Sequence, residues 1–263
     1  MYIYREQYMD EYTIRPIAYV HSDYNEKFGI PRQPGLAEEL EQSVVIEPAF
    51  RNGDALRGIE DFTHLWLIWG FSQSRLDMEE DPVRWHPTVR PPWLGGNMRK
   101  GVWATRSPYR PNSLAISCVR LVRIEHGGRT VSSTSGIGET SESLALIVSG
   151  ADMMDGTPVY DIKPYIPYSD SHPEASGGFT DSISYTRLRV DFPDDLLEKI
   201  DEEKRAGLIS ALEGDPRGAY NKQPGHVYGM SFADWDIRFT VDGEILRVTD
   251  VADESEDAAD RIK

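Results

Sequence analysis

Residues 62–71 read FTHLWLIWGF, an apolar run dense in aromatic and β-branched side chains and interrupted by one titratable group, His64. The run is well short of the roughly 20 apolar residues of a membrane span, and its composition is that of a strand. Similar runs lie on either side: YTIRPIAYV (12–20), SVVIE (43–47), KGVWAT (100–105), LAISCVRLVRI (114–124) and ESLALIVSG (142–150). Pro and Gly punctuate nearly every gap between them, and no helical period intervenes. The chain up to position 185 therefore reads as mainly β, a sandwich or closed barrel rather than a parallel α/β sheet.

The texture changes after that. FPDDLLEKIDEEKRAGLISALEG (192–214) puts acids after Asp194, apolar residues at 196, 197, 200, 208, 209 and 212, and Gly214 as a stop. This pattern predicts one amphipathic helix with Asp194 as its N-cap. WDIRFTVDGEILRVTD (235–250) alternates Ile237, Phe239 and Val241 ahead of Asp242-Gly243, then Leu246 and Val248, which predicts a β-hairpin. Three regions follow: a β domain over 1–185, a small α+β domain over 186–250, and an acidic tail over 251–263, with SHPEASGGFTDS (171–182) as linker.

The formal net charge of −16 argues against a polyanion partner until its distribution is considered. The stretch from Pro82 to Ile124 holds no Asp or Glu, yet carries Arg84, Arg90, Arg99, Lys100, Arg106, Arg110, Arg120 and Arg123. Acids gather at DMEED (77–81), between Asp191 and Glu203, and in the tail. A basic strip on an acidic body orients a polyanion, because far charges are screened beyond about 8 Å; pairing of these arginines with the acids elsewhere is the competing reading. Cys118 is the only cysteine, which rules out an intrachain disulfide and a thiolate zinc site. It reads as a half-buried packing residue. The six histidines show no metal-ligand spacing, so no metal is expected. No signal-peptide pattern opens the chain, and neither a membrane association nor a location outside the cytoplasm is expected.

Neither GxGxxG nor GxxxxGK[ST] occurs, so the two commonest phosphate cradles are missing. Two proline-rich polar stretches stand out instead. In ATRSPYRPNSLAIS (104–117), Pro108 and Pro111 brace Arg106 and Arg110 in an extended segment, leaving the guanidinium forks little entropy to lose on binding. In DGTPVYDIKPYIP (155–167), Asp155-Gly156 predicts a turn, after which Asp161, Lys163 and Tyr165 alternate on one strand face. That trio is either an ordinary Asp–Lys ion pair or a cluster tuned for proton transfer. His64 is likewise either a core imidazole bonded to a backbone carbonyl or a ligand-facing one.

These stretches, with FGIPRQPGL (28–36), LRGIEDFTHLWLIWGF (56–71) and HPTVRPPWLGGN (86–97), closely resemble the TsaA-like family, whose bacterial members are tRNA (adenine-N6)-methyltransferases. The likeness is dense from Ile14 to Asp170 and continues more thinly through DPRGAYN (215–221) and the final hairpin. Ser113 and Ala115 stand where the family pattern has Pro and Gly. The resemblance implies a single-sheeted antiparallel β-barrel with a small C-terminal α+β domain, binding S-adenosylmethionine and working as a homodimer with the cofactor near the subunit interface. It implies methylation at N6 of N6-threonylcarbamoyladenosine, position 37 in the anticodon loop of threonine tRNA. Carried over by motif, cofactor contacts fall on Pro31, Arg32, Gln33, His64, Leu65, Arg106, Ile116, Asp155, Gly156, Thr157 and Pro158.

A zwitterionic sulfonium donor has no phosphate, which suits a chain without glycine-rich cradles. Arginine suits its carboxylate. Direct displacement is the expected reaction, with alignment supplying most of the acceleration. Asp161 or Tyr165 is the candidate base, and Lys163 or Arg110 the candidate anchor for the threonyl carboxylate. The basic band is expected to meet loop phosphates, with Trp85, Trp93 or Tyr109 stacking on unpaired bases and Arg217, Tyr220 and Lys222 assisting. Two other readings share these residues: a noncatalytic cofactor- and RNA-binding barrel, and a methyltransferase with a different acceptor.

Overall fold

The structure, a computed structural model, describes residues 12–31, 33–35, 38–71, 85–91, 94, 98–127, 143–183, 187–217, 223 and 225–253. Arg32, Arg84, Trp93, Tyr220, Lys222, the DMEED run and the tail beyond Asp253 lie outside the described residues.

Six strands close into one antiparallel barrel: β1 (Ala18–His21), β2 (Glu41–Ile46), β3 (His64–Gly70), β6 (Leu114–His126), β7 (Leu144–Ser149) and β8 (Pro158–Pro164). Their order is β1-β2-β7-β6-β3-β8, and β8 returns to β1. Closure leaves none of these strands with an unpaired edge. β4 (Thr88–Val89) and β5 (Lys100–Gly101) form a short separate ribbon.

The FTHLWLIWGF run folds as β3. Its period-2 alternation sends Leu65, Leu67 and Trp69 inward, where they meet Val20, Val44, Val119, Leu146, Val148 and Val159. His64, Trp66 and Ile68 fall on the outer face. Every residue of β7 is buried, because Ala145 and Ile147 pack outside the barrel against Val45 and Val122.

Several elements differ from the sequence expectations. Of the 12–20 run only residues 18–20 are strand, within β1. KGVWAT keeps two strand residues before turning at Val102–Ala104, where the Thr105 hydroxyl donates to the Val102 carbonyl at 2.8 Å. The DIKP stretch is a full barrel strand; its prolines sit at the first and last positions of β8, where a missing N–H is tolerated. The single helix expected over 192–214 is two, α2 (Asp194–Leu197) and α3 (Glu202–Glu213), following a one-turn α1 (Pro167–Asp170). The chain turns between α2 and α3 to bury Ile200, and Pro193 rather than Asp194 occupies the N-cap.

The hairpin is present as β11 (Trp235–Asp242) and β12 (Ile245–Asp253), with Gly243 at a φ of 59° in its turn. Together with β9 (Arg189–Asp191) and β10 (Tyr228–Phe232), it makes a four-stranded sheet in the order β10-β11-β12-β9. This sheet and the helices enclose a second core, which also takes in Tyr24 and Leu40 from far upstream.

The upstream segment is fitted closely to that core. Phe28 stacks on Phe239 at 6.4 Å, and the Ala233 amide donates to the Asp23 carbonyl at 2.8 Å. Gly29 has a φ of 93°, and a Cβ there would lie 2.3 Å from the Met230 sulfur, so only glycine fits. Tyr24, Phe28 and Ile30 thus pack on the C-terminal core after β1, as does Leu40 just ahead of β2.

Candidate active site

A cleft of about 700 Å³ opens at the end of the barrel where β3 and β7 finish and β6 and β8 begin. Ile68, Trp69, Leu114, Ala115 and Ile116 give it an apolar floor. Pro31 and Gln33 approach from the segment laid on the C-terminal sheet; Arg106 and Arg110 approach from the proline-braced stretch opposite. Nη1 of Arg106 donates to Oε1 of Gln33 at 2.7 Å and ties the two rims together.

That braced stretch is a succession of tight turns, not an extended segment. The Arg110 amide donates to the Pro108 carbonyl at 2.7 Å, and the Ser113 amide to the Arg110 carbonyl at 3.2 Å. Arg110 Nη1 donates to the Thr105 carbonyl at 2.8 Å, which fixes its guanidinium beside the cleft. Ser113 is buried with a φ of 46°, a left-handed conformation uncommon for serine. With Ala115, it is one of the two positions noted above as departing from the pattern of the resembled family.

The sequence reading passed over Asp152, as it did Lys27 on the same lining. Asp152 faces the same space as Arg106, at the head of a buried chain: Trp69 Nε1 donates to Ser117 Oγ at 2.9 Å, and the Ser117 hydroxyl donates to Asp152 Oδ1 at 2.6 Å. Burial pushes the Asp152 carboxyl above the usual aspartate range; the Ser117 hydrogen bond, one from its own backbone and the Arg106 charge offset part of that rise. The available signal was a lone charge between Ala151 and Met153, both buried.

The other sequence-chosen residues divide by position. Thr157 lines the cleft, its hydroxyl donating to the Met154 carbonyl at 2.7 Å. Asp155 and Gly156 form the expected turn, with Gly156 at a φ of 72°, but are exposed beside the rim; Asp155 Oδ1 accepts the Ser22 amide at 3.1 Å. Pro158 is buried at the start of β8. Leu65 is wholly inside the barrel core, so only its backbone could meet a ligand.

His64 is exposed and not the carbonyl-bonded core imidazole; its Nδ1 lies 2.9 Å from the Thr63 hydroxyl, and its ring packs edgewise on Tyr165. It stands at the far end of β3, four residues before Ile68, a separation of roughly 13 Å along a strand. Asp161 lies opposite Ile68 on β8, and Lys163 opposite Trp66. Asp161 and Lys163 form an ion pair at 2.9 Å, with both side chains well exposed. Neither they nor Tyr165 line the cleft.

The basic band is likewise unevenly available. Arg123 is engaged by Glu41 and Glu125. Arg217, expected to assist RNA binding, is buried, bonded through Nε and Nη2 to Asp215 at 2.7 and 3.0 Å, and lies over the Tyr228 ring. Cys118 is half-buried and its thiol is raised by burial. Among the described residues no cluster of potential metal ligands occurs, and no helix is long and apolar enough to cross a membrane.

Fold and cleft together define a barrel protein with a candidate small-molecule cleft at a strand-end rim, built from turns and not from a glycine-rich loop. The chain belongs to the tRNA-methyltransferase O (TrmO) family: the family's N-terminal domain model matches residues 19–171, and its C-terminal domain model matches 185–254. It is 36% identical over 241 residues to the tRNA (adenine(37)-N6)-methyltransferase of Escherichia coli K12, covering 89% of this chain and 94% of that one. It is 37% identical over 250 residues to a putative S-adenosylmethionine-dependent methyltransferase of Pseudomonas aeruginosa, covering 92% and 98%. The crystal structure of TrmO from P. aeruginosa superposes with a TM-score of 0.69 at 32% identity over 95% of this chain and all of the other.

Proposed function

We propose that this protein transfers a methyl group from S-adenosylmethionine to N6 of N6-threonylcarbamoyladenosine at position 37 of tRNA, with threonine tRNA as its substrate. Residues 1–185 are the catalytic barrel on this reading, and 186–250 brace it. One observation carries it: in a single apolar cleft, the Arg106 guanidinium and the half-buried Asp152 carboxylate face the same space, in a chain whose relatives are named for methyl transfer to tRNA. The charges suit a zwitterionic amino acid and the floor suits an adenine.

The donor supplies a methyl carbon activated by a sulfonium. Arg106 receives its carboxylate, and Asp152 receives its ammonium. Ile116, Ile68 and Leu114 cover its purine, while Pro31, Gln33 and Thr157 border the pocket. Arg32, beside them in sequence, belongs to the same set. Arg110 is placed at the cleft to anchor the threonyl carboxylate. Asp161, ion-paired with Lys163 and opposite the cleft residue Ile68 on β8, is the candidate acceptor for the N6 proton. Tyr165 packs against Trp66 and His64 at the outer end of that face. Labelled donor incubated with tRNA containing or lacking the threonylcarbamoyl group tests the assignment. Label appears only in the modified tRNA; equal labelling of both would assign a different acceptor.

A contact between His64 and a donor held in this cleft requires a second copy of the chain, because the His64 of the same copy stands at the opposite end of β3. The outer face between them carries Ile116, 48% exposed, and the half-buried Trp66 and Cys118, a surface suited to self-association. The protein is therefore proposed to act as a homodimer with shared sites, with Asp155, Gly156, Pro158 and the Leu65 backbone near the junction. Arg106→Ala and His64→Ala chains, each inactive alone, would regain roughly a quarter of wild-type activity when mixed and re-equilibrated. Mixing without recovery would place the whole site within one chain.

A further inference from the structure

Beside the cleft lies a second, wider groove, which shares Gln33, Arg106 and Tyr109 with it. The β4–β5 ribbon forms one wall and residues 176–183 form the other. The expected linker is thus partly a built surface: it carries a 3₁₀ turn at Gly178–Ser182, and the Lys100 ammonium lies 5.5 Å from the centre of the Phe179 ring. The described lining contains Arg90, Arg99 and Lys100 and no Asp or Glu, although the chain carries a net charge of −16. Among the described residues none of these three cations meets a carboxylate; Arg99 donates only to the Thr88 hydroxyl, at 3.1 Å. On the groove surface Trp103 is 74% exposed, its indole stacked on that of Trp85 at 5.5 Å and 23°. A large exposed indole backed by a second one is a rigid platform with one free face.

We propose that this groove seats an unpaired RNA strand, with a base stacked on Trp103 and phosphates on Arg90, Arg99 and Lys100, so that the neighbouring base passes Tyr109 into the cleft. The inference rests on the tRNA reading and deepens it by saying where the strand lies. Three features support RNA as the occupant: cations without a compensating acid, a flat π-surface that accepts any base, and continuity with the reaction cleft. A structured duplex presents no free base to the indole.

The test uses the full-length protein and a stem-loop RNA with an unpaired loop, compared with the same stem closed as duplex. Trp103→Ala should weaken stem-loop binding about tenfold or more and leave duplex binding alone, while Trp103→Phe retains most of it. Arg90→Gln with Arg99→Gln should flatten the salt dependence by roughly 1 to 1.5 in log–log slope. Calorimetric binding of S-adenosylmethionine should be unchanged in these variants, because none of the three residues lines the cleft. Wild-type affinity of Trp103→Ala for the stem-loop would overturn the proposal. So would a shift of that variant to a smaller sedimenting species, which would put a second copy on the groove. A wild-type protein that binds stem-loop RNA in this Trp103-dependent way but transfers no methyl group would overturn the enzymatic reading and leave the groove standing. Methyl transfer with an unaltered Michaelis constant in Trp103→Ala would do the reverse.

Discussion

Replacing Arg106 with alanine is expected to lower kcat/KM for methyl transfer by about a hundred- to a thousandfold. A hydrogen bond to a charged group contributes about 1.5–3 kcal/mol, and a guanidinium–carboxylate pair makes two in a fixed fork. The same change frees Gln33, whose Oε1 accepts from Arg106 at 2.7 Å, so the two rims of the cleft lose their tie. A loss of about 1.4 kcal/mol in transition-state stabilisation is tenfold in rate. Arg106→Lys keeps the charge and loses the fork, so it should fall between wild type and alanine. Calorimetry with the donor alone separates this from any effect on RNA. Wild-type donor affinity in Arg106→Ala would remove this residue from the donor site.

Asp152→Asn should move function and stability in opposite directions. On the functional side, a neutral amide no longer complements the donor ammonium, and affinity for S-adenosylmethionine should drop about ten- to a hundredfold. S-adenosylhomocysteine, with the same ammonium, should lose as much; methylthioadenosine, which lacks the amino-acid end, should bind as before. On the stability side, the folded-state pKa of Asp152 is raised above its unfolded value, chiefly by burial. An acid raised in this way binds its proton more tightly when folded, so it costs nothing below the ordinary aspartate pKa. The cost grows as pH rises towards the folded pKa, and is full above it. The amide carries no such cost. The variant should therefore melt at a higher temperature than wild type at neutral pH, with the gap closing on acidification. A variant that is less stable and binds the donor normally would make Asp152 a structural residue.

The barrel was legible because its strands announce themselves. β3, β6 and β7 carry aromatic and β-branched runs that no helix of similar length would need. The β8 strand was partly hidden, since prolines at both its ends resemble turn signals until the neighbouring strands supply the pairing. The helical stretch was over-read as one element, because periodicity alone does not show the chain turning to bury Ile200. For the site, the family resemblance pointed to Pro31, Gln33, Arg106, Ile116 and Thr157, and the proline-braced stretch to Arg106 and Arg110; all six line one cleft from three widely separated stretches of chain. It missed Asp152, whose importance lies in what surrounds it and not in any pattern along the chain. Arg217 shows the converse: an arginine in a basic-looking motif whose charge is already satisfied by Asp215.

The loop bearing Pro31 and Gln33 takes its shape from a floor it does not own: Gly29 lies against Met230, Phe28 on Phe239, and Leu40 against Gly207. One rim of the cleft is therefore anchored far downstream in sequence, between Gly207 and Phe239. Damage deep in the C-terminal sheet would surface as a cofactor defect, and cutting the protein between its two cores would leave a barrel whose entrance has lost one jamb.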